Sequence, residues 1–130
     1  MNILSNSDIV LISLPLTKKT HYLFNHNLMK KIKDNSILIN ISRSGIIDEN
    51  DLLKLLNEKK FLGVSLDLFE NEPLEAHNQL WNFDKLIITP KNSWFSDRVS
   101  ERRFNVVYQN LINYLNKRKL ENIANTIIGY

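Results

Sequence analysis

Four short apolar runs punctuate the chain: Asp8-Ile-Val-Leu-Ile-Ser-Leu14, Ser36-Ile-Leu-Ile-Asn40, Phe61-Leu-Gly-Val-Ser-Leu-Asp67 and Lys85-Leu-Ile-Ile-Thr89. They are too short for stable helices and rich in aliphatic and β-branched residues, so each reads as a strand buried on both faces. The intervening segments have helical period. From Asn25 to Lys33, Leu28, Met29 and Ile32 share one side and Asn25 is a candidate N-cap. From Asp48 to Lys59, Leu52, Leu53, Leu55 and Leu56 point inward, with acids at the start and lysines at the end as the helix dipole favours. A last and longest helix, Asp97 to Lys117, carries Val99, Phe104, Val107, Leu111, Ile112 and Leu115 as an apolar stripe, and Lys117-Arg118-Lys119 marks its end.

Strands and helices in alternation imply parallel strands joined by crossovers. The expected fold class is therefore α/β, an open parallel sheet with helices on both faces. In such sheets ligands bind beyond the carboxyl ends of the strands. The residues following the four strands are Pro15-Leu16-Thr17, Ile41-Ser42-Arg43-Ser44-Gly45, Leu68-Phe69-Glu70-Asn71-Glu72-Pro73 and Pro90-Lys91-Asn92-Ser93-Trp94. Gly45 is expected to supply a turn with positive φ.

Composition narrows the class. The 130 residues are 43% hydrophobic and 24% charged with no cysteine, which excludes a disulfide scaffold and a cysteine zinc site. Apolar runs are interrupted well before a membrane-spanning length, and no signal region is expected, so no membrane partner and a cytoplasmic setting are the expectation. The net charge of +3 is distributed in blocks: residues 1–47 carry +4, residues 48–84 carry −6 and residues 85–130 carry +5. That layout makes no basic face, and the spacing of Phe104, Tyr108 and Tyr114 suits a core, so nucleic acid is not the expected partner.

Taken in order, the four loops resemble the second half of the NAD-binding domain of the D-isomer-specific 2-hydroxyacid dehydrogenases. The matching stretches are Ser7 to Thr17 with Thr20, Ile37 to Asp48, Gly63 to Pro73 and Leu86 to Pro90, with 29 positions from Arg43 to Glu72. The resemblance implies a partial Rossmann-like parallel sheet, hydride transfer between NAD and a small 2-hydroxy or 2-oxo acid, and a homodimer; NADP is equally compatible. It assigns Arg43 to the substrate carboxylate, which a guanidinium grips in two-pronged fashion. It assigns Glu72 to the catalytic carboxylate that holds the acid/base group, and Asp67 to the nicotinamide carboxamide. Ile41 and Ser42 are implied to lie along the nicotinamide ring, with Pro15 and Thr17 near the cofactor ribose. Thr17 reads equally well as a turn cap.

Two departures from the family pattern matter. The family reads Thr-Pro-His where this chain reads Thr89-Pro90-Lys91. An ordinary lysine titrates near pH 10.4 and is a poor base at neutrality, unlike histidine. Lys91 could donate a proton during carbonyl reduction, bind an anionic group at the cofactor and substrate site, or record lost activity. His21, His26 and His77 are expected at the surface, with His77 the one histidine in a loop near Glu72. The second departure is that the Gly-x-Gly-x-x-Gly phosphate loop is absent from the 130 residues, which contain Gly45, Gly63 and Gly129 alone. The expected organisation is residues 1–120 as the C-terminal portion of the NAD-binding domain and residues 121–130 as a return segment towards a substrate domain. Little turnover is expected of such a fragment alone. The alternatives are a non-catalytic binding or oligomerisation module and a degenerate remnant.

Overall fold

The computed structural model describes residues 3–127. The chain forms two compact units, residues 1–93 and residues 94–130. In the first, a short helix α1 (Ile3–Asn6) leads into strand β1 (Ile9–Ile12). Then come α2 (His26–Met29), β2 (Ile37–Asn40), α3 (Glu49–Asn57), β3 (Gly63–Leu66) and β4 (Leu86–Ile88), with 3-10 turns at Ser44–Ile46 and Gln79–Asn82. The four strands form one parallel sheet in the order β1-β2-β3-β4. Each predicted strand is found in a shorter form, and the residues left outside the ladder include apolar Leu14, Phe61 and Leu62 as well as polar ones.

Register places the strand ends side by side: Ile12 is level with Asn40, Asn40 with Leu66, and Leu66 with Ile88. Every loop that follows a strand therefore leaves from one edge of the sheet.

Helix α3 starts where its cap chemistry directs. The Asp48 carboxylate accepts from the Asp51 N–H at 3.0 Å, and Leu52, Leu55 and Leu56 enter the core. Lys59 stops the helix in the left-handed region at φ 56°. Helix α2 is shorter than the expected Asn25–Lys33 span. Asn25 caps it as expected, accepting from the Leu28 N–H at 3.1 Å, but Lys31 and Ile32 donate three residues back, a tighter turn that ends the α-helix. The His26 N–H donates to Asp51 at 2.9 Å, tying α2 to α3. His26 is half-buried rather than on the surface.

The expectation of strands buried on both faces does not hold. Val10, Ile12, Leu38, Val64 and Leu66 share a core with Met29, Ile32, Leu52 and Leu55, but Ile9, Leu11 and Ile87 on the other face are 59%, 54% and 65% exposed. Apolar residues on both faces of a strand mark surface that suits burial; they do not say whether the same chain supplies the cover.

The second unit contains α4 (Val99–Leu115), inside the expected span but without a buried residue. Phe104, Tyr108 and Tyr114 are exposed, not core. Phe104 stacks on Tyr108 with centroids 5.9 Å apart, a pairing along the helix surface. Asn110 exchanges two hydrogen bonds with the Glu121 backbone, pinning the start of the return segment to the helix. Gly129 and residues 128–130 of that segment lie outside the described residues.

Candidate active site at the carboxyl edge of the sheet

The loop after β1 is closed by hydroxyls. The Thr20 hydroxyl donates to the Pro15 carbonyl at 2.6 Å and accepts from the Thr17 N–H at 2.8 Å, while the Thr17 hydroxyl accepts from the Lys19 and Thr20 N–H groups. Thr17 thus makes the cap contacts of a turn residue, and Pro15 stands exposed beside it.

Arg43 is displayed by a turn built on Asn40. That side chain, 1% exposed at the end of β2, accepts from the Ser42 N–H and hydroxyl and donates to the Arg43 carbonyl at 3.0 Å. Ser42 is thereby buried, while Ile41 and Arg43 face outward. The Arg43 guanidinium donates to the Ser42 carbonyl at 2.7 Å. Asn40 was not singled out from the sequence, although a polar residue closing an aliphatic strand is a usable signal. Gly45 does not have the expected positive φ; it sits inside the 3-10 turn, and a Cβ there would meet Leu16 at an ordinary 3.5 Å.

Beyond β3 and β4 the structure brings three predicted residues together. The Lys91 ammonium donates to Glu72 Oε2 at 2.6 Å, and the Phe69 N–H donates to Glu72 Oε1 at 3.3 Å. Hydrogen bonding from Lys91 holds the Glu72 carboxyl below the usual carboxylate range; partial burial opposes this, and the Phe69 N–H and the lysine charge reinforce it. Asp67 is 2% exposed and accepts from the Thr89 hydroxyl, the Asn92 N–H at 3.0 Å and the Ser93 N–H at 2.9 Å. Burial pushes its pKa up, but the Ser93 and Thr89 side chains and the two N–H groups outweigh it, and the net shift is downward. Thr89 and Ser93 are further residues that sequence reasoning did not single out.

Beside the Lys91–Glu72 pair lies a hollow of about 270 Å³ lined by Asp67, Phe69, Pro73, Leu74, Trp81 and Pro90. Trp81 is held by donation from its indole to the Glu75 carbonyl at 3.0 Å. His77 pairs with Glu75 at 2.9 Å on the surface. Among the described residues there is no cluster of metal-ligating side chains, and no helix is long and apolar enough to cross a membrane.

Order along the edge follows from the strand order. The loops carrying Pro15 and Thr17, Ile41 to Arg43, Asp67 and Glu72, and Lys91 leave neighbouring strands, each about 4.8 Å from the next. An exposed guanidinium at one strand end and a carboxylate-held ammonium two strands away can bind a small anion and place a proton donor near it.

Known proteins are similar to this chain in sequence and in fold. The family model described as the NAD binding domain of D-isomer specific 2-hydroxyacid dehydrogenases matches residues 1–93. The glyoxylate reductase of Pyrococcus horikoshii is 37% identical over 111 residues, covering 85% of this chain and 33% of that enzyme. The glyoxylate reductase of Thermofilum pendens is 36% identical over 110 residues, covering 85% of this chain and 32% of the relative. The NADPH-dependent glyoxylate/hydroxypyruvate reductase of Sinorhizobium meliloti, solved with NADP and sulfate, superposes with a TM-score of 0.87 at 30% identity. That superposition covers 98% of this chain and 41% of the solved one. The chain spans about a third of the length of the curated relatives it matches. A four-stranded parallel sheet with the predicted arginine, glutamate and lysine loops on its carboxyl edge, matched by the family model over residues 1–93, makes this chain a member of the D-isomer specific 2-hydroxyacid dehydrogenase family.

Proposed function

We propose that the carboxyl edge of this sheet is the catalytic side of an NAD(P)-dependent reductase of small 2-oxo acids such as glyoxylate and hydroxypyruvate. The observation that carries this reading is the 2.6 Å Lys91–Glu72 ion pair at the same sheet edge as exposed Arg43.

The edge suits the nicotinamide half of a dinucleotide. Ile41, 40% exposed, offers an apolar face for a ring, and Pro15 and Thr17 offer a hydroxyl-bearing turn on the adjoining strand. When bound, the reduced cofactor supplies a hydride to C2 of the acid. Arg43 holds the substrate carboxylate through paired N–H donors. Lys91, oriented by its hydrogen bond to Glu72, donates a proton to the C2 oxygen as negative charge develops there. The neutral amine left behind regains its proton from water, because the Lys91 side chain is 57% exposed.

The residues that would hold the pyrophosphate are not among the 130, since no Gly-x-Gly occurs in them. The chain alone is therefore expected to turn over little or not at all, as one part of a larger catalytic unit. A chimera in which residues 1–93 replace the matching segment of the Pyrococcus horikoshii enzyme tests the site. Glyoxylate-dependent NAD(P)H oxidation is expected, with Arg43→Ala raising KM at least about tenfold. A folded chimera that is inactive as built but active as Lys91→His would overturn the role given to Lys91. Inactivity of both would overturn the whole reading.

A second reading is favoured by α4, where Phe104, Val107, Leu111 and Leu115 are all more than half exposed. In it the chain serves as an oligomerisation module and its homodimer is the functional form. Light scattering on the purified chain separates the two: a monomer at micromolar concentration removes the module reading.

A further inference from the structure

Asp67 ends β3 nearly sealed from water, and a single turn occupies its carboxylate. Oδ1 accepts from the Thr89 hydroxyl and the Asn92 N–H, Oδ2 accepts from the Ser93 N–H, and the Ser93 hydroxyl is a fourth donor. An ionised carboxylate has about four lone-pair sites, and this turn supplies a donor for each. The four donors lie on both sides of Lys91.

Lys91 itself has φ 53°, in the left-handed region that a residue with a side chain rarely adopts. Such a conformation persists where its surroundings enforce it. The enforcement here comes from Asp67 on either flank and from the Lys91 N–H donating to the Thr89 carbonyl at 3.1 Å. The side chain that this backbone projects is the one that reaches Glu72.

We propose that Asp67 is a positioning residue: it clamps the 89–93 turn and thereby aims Lys91 at Glu72. Its importance for catalysis rests on the reading of Lys91 given above, but the clamp can be tested without substrate or turnover.

Two effects of Asp67 on Glu72 have opposite signs. As a nearby negative charge, Asp67 pushes the Glu72 pKa up. As the clamp that delivers Lys91, it pushes the same pKa down. Titration of the Glu72 side-chain carboxyl carbon by NMR in the 130-residue chain reads the balance.

In Asp67→Asn the charge effect alone would lower the Glu72 pKa, whereas loss of the clamp would raise it towards the ordinary range. A rise is expected. Thr89→Val removes one donor and no charge, and a smaller rise is expected there. A fall or no change in a folded Asp67→Asn chain, judged by its amide spectrum, would overturn the proposal. If that variant does not fold, Thr89→Val decides alone, and an unchanged Glu72 titration would overturn it. An inactive chimera with a normal Glu72 shift would count against the enzymatic reading and leave the clamp standing.

Discussion

Asn40 shows how one buried polar side chain can display a charged one. Its amide has three partners within the turn that carries Arg43, so Asn40→Ala strands the Ser42 N–H and hydroxyl and releases the Arg43 carbonyl. The expected cost is about 1–3 kcal/mol, read from the urea midpoint. The Lys91–Glu72 pair is partly exposed, with side-chain exposures of 57% and 34%, so Lys91→Ala should cost about 0.2–1 kcal/mol. The sign of its pH dependence follows from the lowered Glu72 pKa. The pair's contribution is complete above the ordinary glutamate value of about 4.3 and disappears as pH falls through the lower folded value. Wild type and Lys91→Ala should therefore differ in stability at pH 7 and converge in acid; a difference that persists at low pH would show that Lys91 acts through packing.

At the scale of elements, α3 holds the sheet's covered face. Leu52 and Leu55 have no exposed surface, and Leu55→Ala is expected to cost about 2–5 kcal/mol in urea denaturation. Asp48→Ala removes the N-cap of the same helix and should cost about 1 kcal/mol. Leu55 lies in the core, away from the carboxyl edge, so the Glu72 titration should be unchanged in the fraction of Leu55→Ala that remains folded. Helix α4 behaves differently. With no buried residue to lose, Leu111→Ala should change the stability of the monomer by less than about 0.5 kcal/mol. A larger effect that grows with protein concentration would mark Leu111 as interface, since association stabilises by mass action.

For the whole molecule, apolar surface is open on the sheet and on α4, and no Gly-x-Gly occurs in the 130 residues. Ile9, Leu11 and Ile87 are uncovered apolar residues of the sheet, and under the proposed function a dinucleotide would lack the backbone N–H cradle that holds its phosphates. The isolated chain is expected to show no saturable NAD(P)H oxidation with glyoxylate, pyruvate or hydroxypyruvate. Saturable turnover would mean that these 130 residues bind the cofactor by another route.

Much of this was legible in the sequence because it is local or ordinal. Aliphatic runs and leucine spacing determined four strands and α3, and the Asp48 cap determined where that helix starts. Alternation determined a parallel sheet, and a parallel sheet gathers the loops bearing Arg43, Asp67, Glu72 and Lys91 at one edge. The tertiary structure alone decided which apolar residues are buried, because Phe104 and Ile9 look like core to any local rule and differ from Leu55 only in what packs against them. It also decided the partners. That Asp67 faces the turn around Lys91, 22 to 26 positions further on, depends on the pairing of β3 with β4. Hydrogen-bond donors so distant in sequence leave no periodic trace along the chain.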